Sequence, residues 1–272
     1  MNSPNLRILA IGAHPDDCEL TTGGACLLYA SHGHTVKYVS MTNGDAGHHL
    51  LQGKALSDRR ADEFAASCAI GGFEHEILDN HDGYLAPNHE NRDRLIRLIR
   101  RFQPDLIFLP RTNDYHPDHR ATGQLVQDTA YLLMVPNICP DTPALEYNPV
   151  MMHVADRFQK PVPFEPSIAI DIDAVHATKI RMVDCHVSQF YEWLPWVDRI
   201  GSTVPADPMA RIPWLSQLLD LWEGDVATRF RSLIISRYGA DRAAGIRHAE
   251  VFECCEYGGS LTEEHLAALF PF

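Results

Sequence analysis

Short apolar runs alternate with amphipathic stretches over the first half of the chain. The apolar runs predict strands at residues 6–13, 36–43, 75–79 and 105–110. The stretches between them predict helices at residues 18–33, 57–72, 90–103 and about 117–135. Strands that alternate with helices form parallel βαβ units. The pattern therefore predicts an α/β fold, a doubly wound and mostly parallel Rossmann-like sheet with helices on both faces.

Two of these helices carry further signals. In the helix at 57–72, Ser57 is the expected N-cap and Gly71-Gly72 the expected end. In the helix at 90–103, apolar side chains recur on one side, which we expect to face the sheet: Leu95, Ile96, Leu98 and Ile99.

After Pro136 the pattern is less regular. Strands are predicted at 151–156 and 167–172, and a helix at 173–190. Residues 191–215 carry three tryptophans without a clean period, so they predict an irregular surface segment. This segment could serve as a lid, a sugar platform or a subunit contact. Two helical stretches, at about 214–238 and 261–270, close the chain.

The composition narrows the class of protein. With 23 basic and 36 acidic residues the formal net charge is −13, and no basic stripe is present to bind nucleic acid. No apolar run approaches the roughly 20 residues of a membrane-spanning helix, so we expect no membrane insertion. The seven cysteines are scattered without a CxxC pair, which indicates buried free thiols and a cytoplasmic protein. Homo-oligomer formation stays open.

Two chemistry-bearing segments follow predicted strands. Ala13-His14-Pro15-Asp16-Asp17 comes directly after the first strand, and His116-Pro117-Asp118-His119 follows the fourth. Residues just beyond the carboxyl ends of parallel strands line the ligand crevice of an open sheet. We therefore expect the two segments to meet at one site.

The residue types of these segments suit a catalytic metal. Two histidines and a carboxylate that leave a position open are typical of catalytic zinc, which lowers the pKa of bound water to about 7. We expect His14, Asp17 and His119 to bind Zn²⁺, although the same ligand set also admits Fe²⁺. A nearby carboxylate is suited to general base, and a nearby histidine to stabilising an oxyanion.

The two motifs resemble those of the LmbE-like, or PIG-L, zinc-dependent N-deacetylases. AHPDDCE at 13–19 resembles the first motif of the family, and HPDH at 116–119 the second. The resemblance implies Asp16 as the general base on zinc-bound water, His116 as the group that steadies the tetrahedral intermediate, and Asp118 as the residue that orients His116. It also implies substrate contacts from Arg60 and Asp82. The implied substrate is a small N-acetylglucosamine-type sugar or conjugate, which loses its N-acetyl group.

We expect a single domain over residues 1–272. In it, residues 1–135 form the metal-binding βαβ core, and residues 136–272 supply substrate loops and closing strands and helices. Three alternatives stay open: hydrolysis of another small amide on the same site, a non-haem Fe(II) oxygenase, and a non-catalytic sugar- or metal-binding module. Loop histidines His48 and His49 could reach the crevice, and His186 is expected to pack in the interior.

Overall fold

The computed structural model describes residues 5–223 and 226–272. The strands are β1 Arg7–Gly12, β2 Thr35–Ser40, β3 Glu74–Ile77, β4 Leu106–Leu109, β5 Val150–Val154, β6 Ile168–Asp171 and β7 Ala249–Cys254. The α-helices are α1 Asp17–Ser31, α2 Gly53–Gly71, α3 His89–Phe102, α4 Pro117–Thr129, α5 His176–Asp184, α6 Leu194–Val197, α7 Arg211–Glu223, α8 Val226–Arg229, α9 Arg231–Tyr238, α10 Ala240–Ala243 and α11 Glu263–Leu269.

The seven strands form one sheet in the order β3-β2-β1-β4-β5-β7-β6. The neighbours from β3 to β5 are parallel, and β7 runs antiparallel to both β5 and β6. The chain winds outward from β1 in one direction and from β4 in the other, so the strand order reverses between these two strands. Ligand crevices of doubly wound sheets lie at such a reversal. The predicted α/β fold with a mostly parallel sheet is confirmed.

Apolar side chains cover both faces of the sheet. One core cluster contains Ile8, Tyr38, Phe108 and Phe252, and the other contains Leu9, Val39 and Ile107. Successive residues of a strand point to opposite faces, and both faces of this parallel sheet are covered. Helix α3 packs on the second cluster through the four side chains predicted for its inner side, each at most 2% exposed: Leu95, Ile96, Leu98 and Ile99.

Three predicted helix bounds are wrong. The helix predicted at about 117–135 ends at Thr129, and a single 3₁₀ turn follows at Leu132–Met134. Helix α2 begins at Gly53, with Gln52 as N-cap, so Ser57 lies inside the helix, where its hydroxyl donates to the carbonyl of Lys54. The helix extends this far because Leu56 is fully buried in its first turn. The helix predicted at 173–190 ends at Asp184, and a π-helical segment follows at Ser188–Trp193.

A polar contact with α2 fixes the chain just beyond α5. The Ser188 amide donates to Glu63 Oε1 at 2.9 Å, and the Ser188 hydroxyl donates to Glu63 Oε2 at 2.6 Å. The amide is therefore bonded to a side chain of α2 in place of the carbonyl four residues earlier, which the α-helical ladder requires. Polar side chains that bond the backbone compete with regular structure in this way.

The second half of the chain departs further from the prediction. Strand β7 was not predicted, because its buried glutamate, Glu250, breaks the apolar pattern. The stretch expected as one helix at 214–238 consists of α7, α8 and α9, and residues 224–225 lie outside the described part. The seven cysteines are all free, and five of them are buried. In the described part of the chain, no helix has the length and apolar character that a membrane crossing requires.

Candidate active site

The first motif forms a tight turn between β1 and α1. The Asp17 carboxylate accepts hydrogen bonds from the amides of Ala13 and His14 through Oδ2, at 2.8 Å each. Asp16 has a φ of +155°, outside the regions that side-chain-bearing residues favour. Backbone strain of this kind is concentrated at functional sites, where the surrounding structure enforces it. The turn aims the Asp16 and Asp17 side chains into the crevice at the β1–β4 reversal.

The second motif begins α4 on the neighbouring strand. His116 is the N-cap, and its Nδ1 accepts a hydrogen bond from the Asp118 amide at 3.2 Å. Pro117 stands at the start of the helix, where its missing N–H costs no hydrogen bond. Asp114 accepts from the His116 amide at 2.8 Å and thereby fixes the approach to the helix.

Three side chains from the two motifs converge. His14 Nδ1 lies 3.6 Å from Asp17 Oδ2, and His119 Nε2 lies 3.5 Å from Asp17 Oδ1. The rings of His14 and His119 are 5.2 Å apart, centroid to centroid. The structure thus brings together the three residues expected to bind metal.

The second nitrogen of each of these histidines faces a carboxylate. His14 Nε2 lies 3.2 Å from Asp82 Oδ1 and 3.3 Å from Asp118 Oδ2. His119 Nδ1 lies 3.1 Å from Asp114 Oδ1. A carboxylate holds the proton on the nitrogen it faces, so the lone pairs of the neutral rings lie on His14 Nδ1 and His119 Nε2. Those two atoms are the ones directed at Asp17.

The pKa values of the three groups reflect this mutual pairing. Burial alone would lower the pKa of His14, but bonds to the surrounding carboxylates raise it well above the usual value. Burial would also lower the pKa of His119, but Asp17 and Asp114 outweigh this effect and raise it. Burial would raise the pKa of Asp17, yet the two histidines hold it far below the usual value. Asp17 is therefore a carboxylate at neutral pH.

His116 differs from the other two histidines. It also has a ring nitrogen close enough to share an ion with His14 and His119. However, its Nδ1 accepts the Asp118 amide proton, so the neutral ring carries its own proton on Nε2. Burial and the nearby histidine charges lower the pKa of His116, which keeps the ring neutral. Nε2 of His116 is thus a hydrogen-bond donor in this arrangement, while a metal ligand needs a free lone pair.

Asp118 contacts His116 through its amide and other residues through its carboxylate. Its carboxylate accepts from the amides of Gly83 at 2.6 Å and Leu85 at 3.1 Å, and it faces His14. Only its main-chain amide contacts His116. The Asp118 carboxylate thus fixes the 83–85 turn and the His14 ring, and the expected role of Asp118 in orienting His116 stays a prediction that the amide bond supports.

Arg60 and Asp82, the two residues expected to contact substrate, are paired with other groups of the site. The Arg60 guanidinium lies 3.2 Å from Asp16 Oδ2 and 3.5 Å from Asp82 Oδ2. Burial raises the pKa of Asp16 to about 6, against the opposing charge of Arg60. Burial would also raise the pKa of Asp82, but the bond to His14 lowers it to about 2. Arg60 and Asp82 are only 2% and 6% exposed.

The loop after β2 packs over Arg60. Gly44 has a φ of +69°, its carbonyl accepts from Arg60, and a Cβ there would meet the guanidinium at 2.7 Å. Asp45 accepts from the Asp82 amide at 3.0 Å. Glycine is required at position 44 both for its backbone conformation and for the space that Arg60 fills.

The loop histidines His48 and His49 contact the segment at residues 188–196. His48 Nε2 bonds Glu192 at 3.0 Å, and the His49 ring stacks on Trp196 with centroids 5.0 Å apart. His186 is fully buried and bonds the equally buried Glu19 at 3.0 Å, so it packs in the interior as expected. The loop and the segment at 188–196 therefore form one wall of the crevice.

Sequence reasoning missed Asp114. This residue lies 3.1 Å from His119 and also bonds the His116 amide. An aspartate just before the predicted start of the helix at about 117 is a turn signal that could have identified it. Metal-binding histidines almost always donate their second N–H to such a carboxylate or carbonyl. His14 and His119 both meet this requirement, so the residues present fit a bound metal ion.

The sequence profile of the PIG-L family, described as GlcNAc-PI de-N-acetylase, matches residues 9–130. Diacetylchitobiose deacetylase of Thermococcus kodakarensis is 29% identical over 206 residues, which cover 72% of this chain and 76% of that protein. 4-Oxalmesaconate hydratase of Pseudomonas putida is 24% identical over 202 residues, covering 71% of this chain and 78% of that protein.

A solved structure agrees with the fold. N,N'-diacetylchitobiose deacetylase from Pyrococcus horikoshii superposes with a TM-score of 0.67 and 25% identity, and the match covers 92% of this chain and 84% of that one. The profile match contains both motifs and the β1–β4 reversal between them. Residues 9–130 of the chain are thus similar to the PIG-L (LmbE-like) family.

Proposed function

We propose that the protein is a zinc-dependent hydrolase that removes the N-acetyl group from an N-acetylglucosamine-type amino sugar or conjugate. The observation that carries this proposal is the convergence of His14 Nδ1 and His119 Nε2 on the Asp17 carboxylate, with Asp16 and His116 beside them. The deacetylase relatives support the choice of reaction. When bound, zinc would polarise the amide carbonyl and lower the pKa of the attacking water.

Asp16 is the general base in this proposal. A carboxyl group with a pKa of about 6 can accept a proton from water near neutral pH and release it again within the same cycle. Asp16 would take the proton of the attacking water and then deliver it to the nitrogen of the leaving amine. Arg60, 3.2 Å away, holds the carboxylate in position.

His116 is the proposed oxyanion partner. Its neutral ring presents an N–H at Nε2, because Nδ1 is occupied by the Asp118 amide. A fixed donor aimed at the carbonyl oxygen stabilises the negative charge that develops there. We assign Arg60 and Asp82 first to holding Asp16 and His14, and their contacts to sugar hydroxyls stay a prediction.

The hydratase relative supports a second candidate, the addition of water to a carbon–carbon double bond. A general base and a polarising metal would serve that reaction as well. The charge of the site favours the neutral amide, because five carboxylates surround it: Asp16, Asp17, Asp82, Asp114 and Asp118. Among the described ion pairs, Arg60 is the arginine that lies beside these carboxylates. Asp16 and Asp82 already pair with it.

The test is a mass-spectrometric screen for acetyl loss across N-acetylated amino sugars, performed under nitrogen. We expect acetate release that a chelator abolishes and added zinc restores. An unsaturated dicarboxylate belongs in the same screen. Water addition to it without any acetate release would replace the deacetylase proposal with the hydratase, and a strict need for oxygen would indicate an oxygenase.

A further inference from the structure

A mostly apolar cavity of about 310 Å³ lies beside the candidate active site. Its size is at the lower end of small-molecule pockets, and equals the liquid volume of about ten water molecules. The apolar walls come from α1, the turn after β5, α7 and the segment after α8: Leu20, Ala155, Phe158, Leu219, Trp222 and Phe230.

The cavity is joined to the catalytic residues in two ways. Leu20 and Thr21 of its wall stand in the first turn of α1, where the Leu20 amide bonds the Asp16 carbonyl at 3.3 Å. On the other side, the Tyr115 ring lies 5.7 Å from the His119 ring and 6.2 Å from the ring of Phe158. Tyr115 therefore stands between the His119 ring and the Phe158 wall of the cavity.

The cavity wall is held in place by buried polar contacts. Arg111, only 7% exposed, bonds both oxygens of Asp156 at 2.6 and 2.7 Å. Asp156 in turn accepts the Phe158 amide at 2.9 Å. The turn that presents Phe158 is thereby fixed before any ligand arrives, which reduces the entropy lost on binding.

Of the charged side chains that line the cavity, Arg157 and Arg229 are exposed to solvent, and the others are held in ion pairs. Lys179 Nζ lies 3.0 Å from Glu250 Oε1, and Glu250 accepts the amides of Gly24 and Ala25 at 2.8 Å each. Both side chains are buried. Because the ion pair satisfies itself, the cavity favours a hydrocarbon group over a charged one.

The sheet order indicates which part of an amide substrate would face the cavity. Arg60 and Asp82 lie on the β2–β3 side of the metal-binding residues, and the cavity lies on the β5–β7 side. If the amino sugar occupies the first side, the acyl group of the scissile amide points to the second. An acetyl group is far too small to fill a cavity of this size.

We propose that this cavity receives the hydrocarbon chain of an N-acyl group longer than acetyl. The inference rests on the proposed function and names its substrate class: amino sugars acylated with medium-length fatty acids. In the reaction, water adds to the amide carbon and the C–N bond breaks. The water oxygen remains in the fatty carboxylate, and the proton passes to the leaving amine.

The experiment compares N-acetyl-, N-butanoyl- and N-octanoyl-D-glucosamine with the octyl glycoside of N-acetylglucosamine. We expect kcat/KM to rise along the acyl series, by at least about tenfold from acetyl to octanoyl, because each buried methylene adds favourable contact. A flat or falling series overturns the inference. A preference for the octyl glycoside alone also overturns it, since the cavity would then hold the sugar's aglycone.

Two variants change the cavity itself. Thr21→Phe places a ring in it, and Trp222→Ala removes part of its wall, so both should lower the ratio of octanoyl to acetyl kcat/KM. Thr178→Phe, at another half-buried helical threonine that does not line the cavity, is the matched control and should keep the ratio. Using a ratio removes any general loss of folded enzyme.

Binding of octanoate provides a readout without turnover. Octanoate should quench tryptophan fluorescence in the unaltered protein and do so less in Thr21→Phe; equal quenching in both would count against the cavity. If no N-acyl sugar is cleaved, acetyl included, the proposed function fails. If acetyl is cleaved but octanoyl is not preferred, only the cavity inference fails.

Discussion

Two separate clusters of histidines and carboxylates can be compared in the described part of the chain, and the proposed metal lies at one of them. The motif cluster consists of His14, Asp17, His116 and His119 at the β1–β4 reversal. The stacked cluster consists of His176, Asp220 and His248, near the end of β6. The ligand atoms of His14, His116 and His119 lie within 4.8 Å of one another, and so do those of His176, Asp220 and His248.

The orientation of the rings separates the two clusters. In the stacked cluster the His176 and His248 rings lie 3.6 Å apart with planes 10° from parallel, so their lone pairs run side by side. In the motif cluster the His14 and His119 rings are inclined by 54°, and a carboxylate fixes the proton on the far nitrogen of each. Proximity of suitable residues is thus insufficient: fixed tautomers and converging lone pairs make the site.

The largest expected effect comes from removing a ligand of the motif cluster. His119→Ala deletes one of the three proposed zinc ligands and leaves Asp17 facing His14 alone. Zinc affinity should therefore fall by more than about a hundredfold, and hydrolysis should be lost. Metal content after dialysis and acetate release measure the two effects. Full zinc retention by His119→Ala would remove this residue from the ligand set.

Asp16→Asn should change zinc affinity less than His119→Ala does, but it should strongly lower the rate of hydrolysis. The variant keeps the shape of the side chain and removes the proton acceptor, so kcat should fall by about a hundredfold to ten-thousandfold. Zinc content should stay at the level of the unaltered protein. Near-normal turnover would show that another group serves as base.

An intermediate effect on metal affinity is expected for Asp114→Asn. This carboxylate faces His119 Nδ1 at 3.1 Å, and partners of this kind contribute about 10- to 100-fold to affinity. Competition with a chromophoric chelator measures the change. Asp141→Asn, at an exposed aspartate paired with Arg97, is the control and should leave zinc affinity unaltered. An equal result for both variants would remove Asp114 from the account.

The smallest effect is expected in the stacked cluster. His248→Ala removes a ring that Asp173 holds at 2.7 Å and that packs on His176, outside the motif cluster. Zinc content and acetate release should both match those of the unaltered protein. Loss of zinc from this variant would mean that the stacked cluster binds metal after all.

Much of the fold and of the candidate site was predictable because both depend on local sequence. The alternating apolar and amphipathic runs from residue 6 to about 135 predict the parallel βαβ units. Each motif stands directly after one of the predicted strands. The pairing of β1 with β4 then follows from doubly wound topology. The assigned roles of the site residues stay predictions, as does the division at residue 135.

What could not be predicted depends on contacts between distant segments. Strand β7 is inserted between β5 and β6, and its Glu250 is buried because amides of α1 and Lys179 bind it. Beyond the end of α5, the Ser188 amide bonds Glu63, more than 100 positions away. The side chain of Asp118 likewise bonds the distant 83–85 loop. No local pattern encodes these partners.

The most direct test of the central claim is an anomalous difference map at the zinc absorption edge, from crystals grown with zinc. The account predicts one strong peak in contact with His14 Nδ1, Asp17 and His119 Nε2, with His116 Nε2 directed at the reacting side and not bound to the ion. A peak ligated by His116 in place of Asp17, or one at His176 and His248 alone, would contradict it.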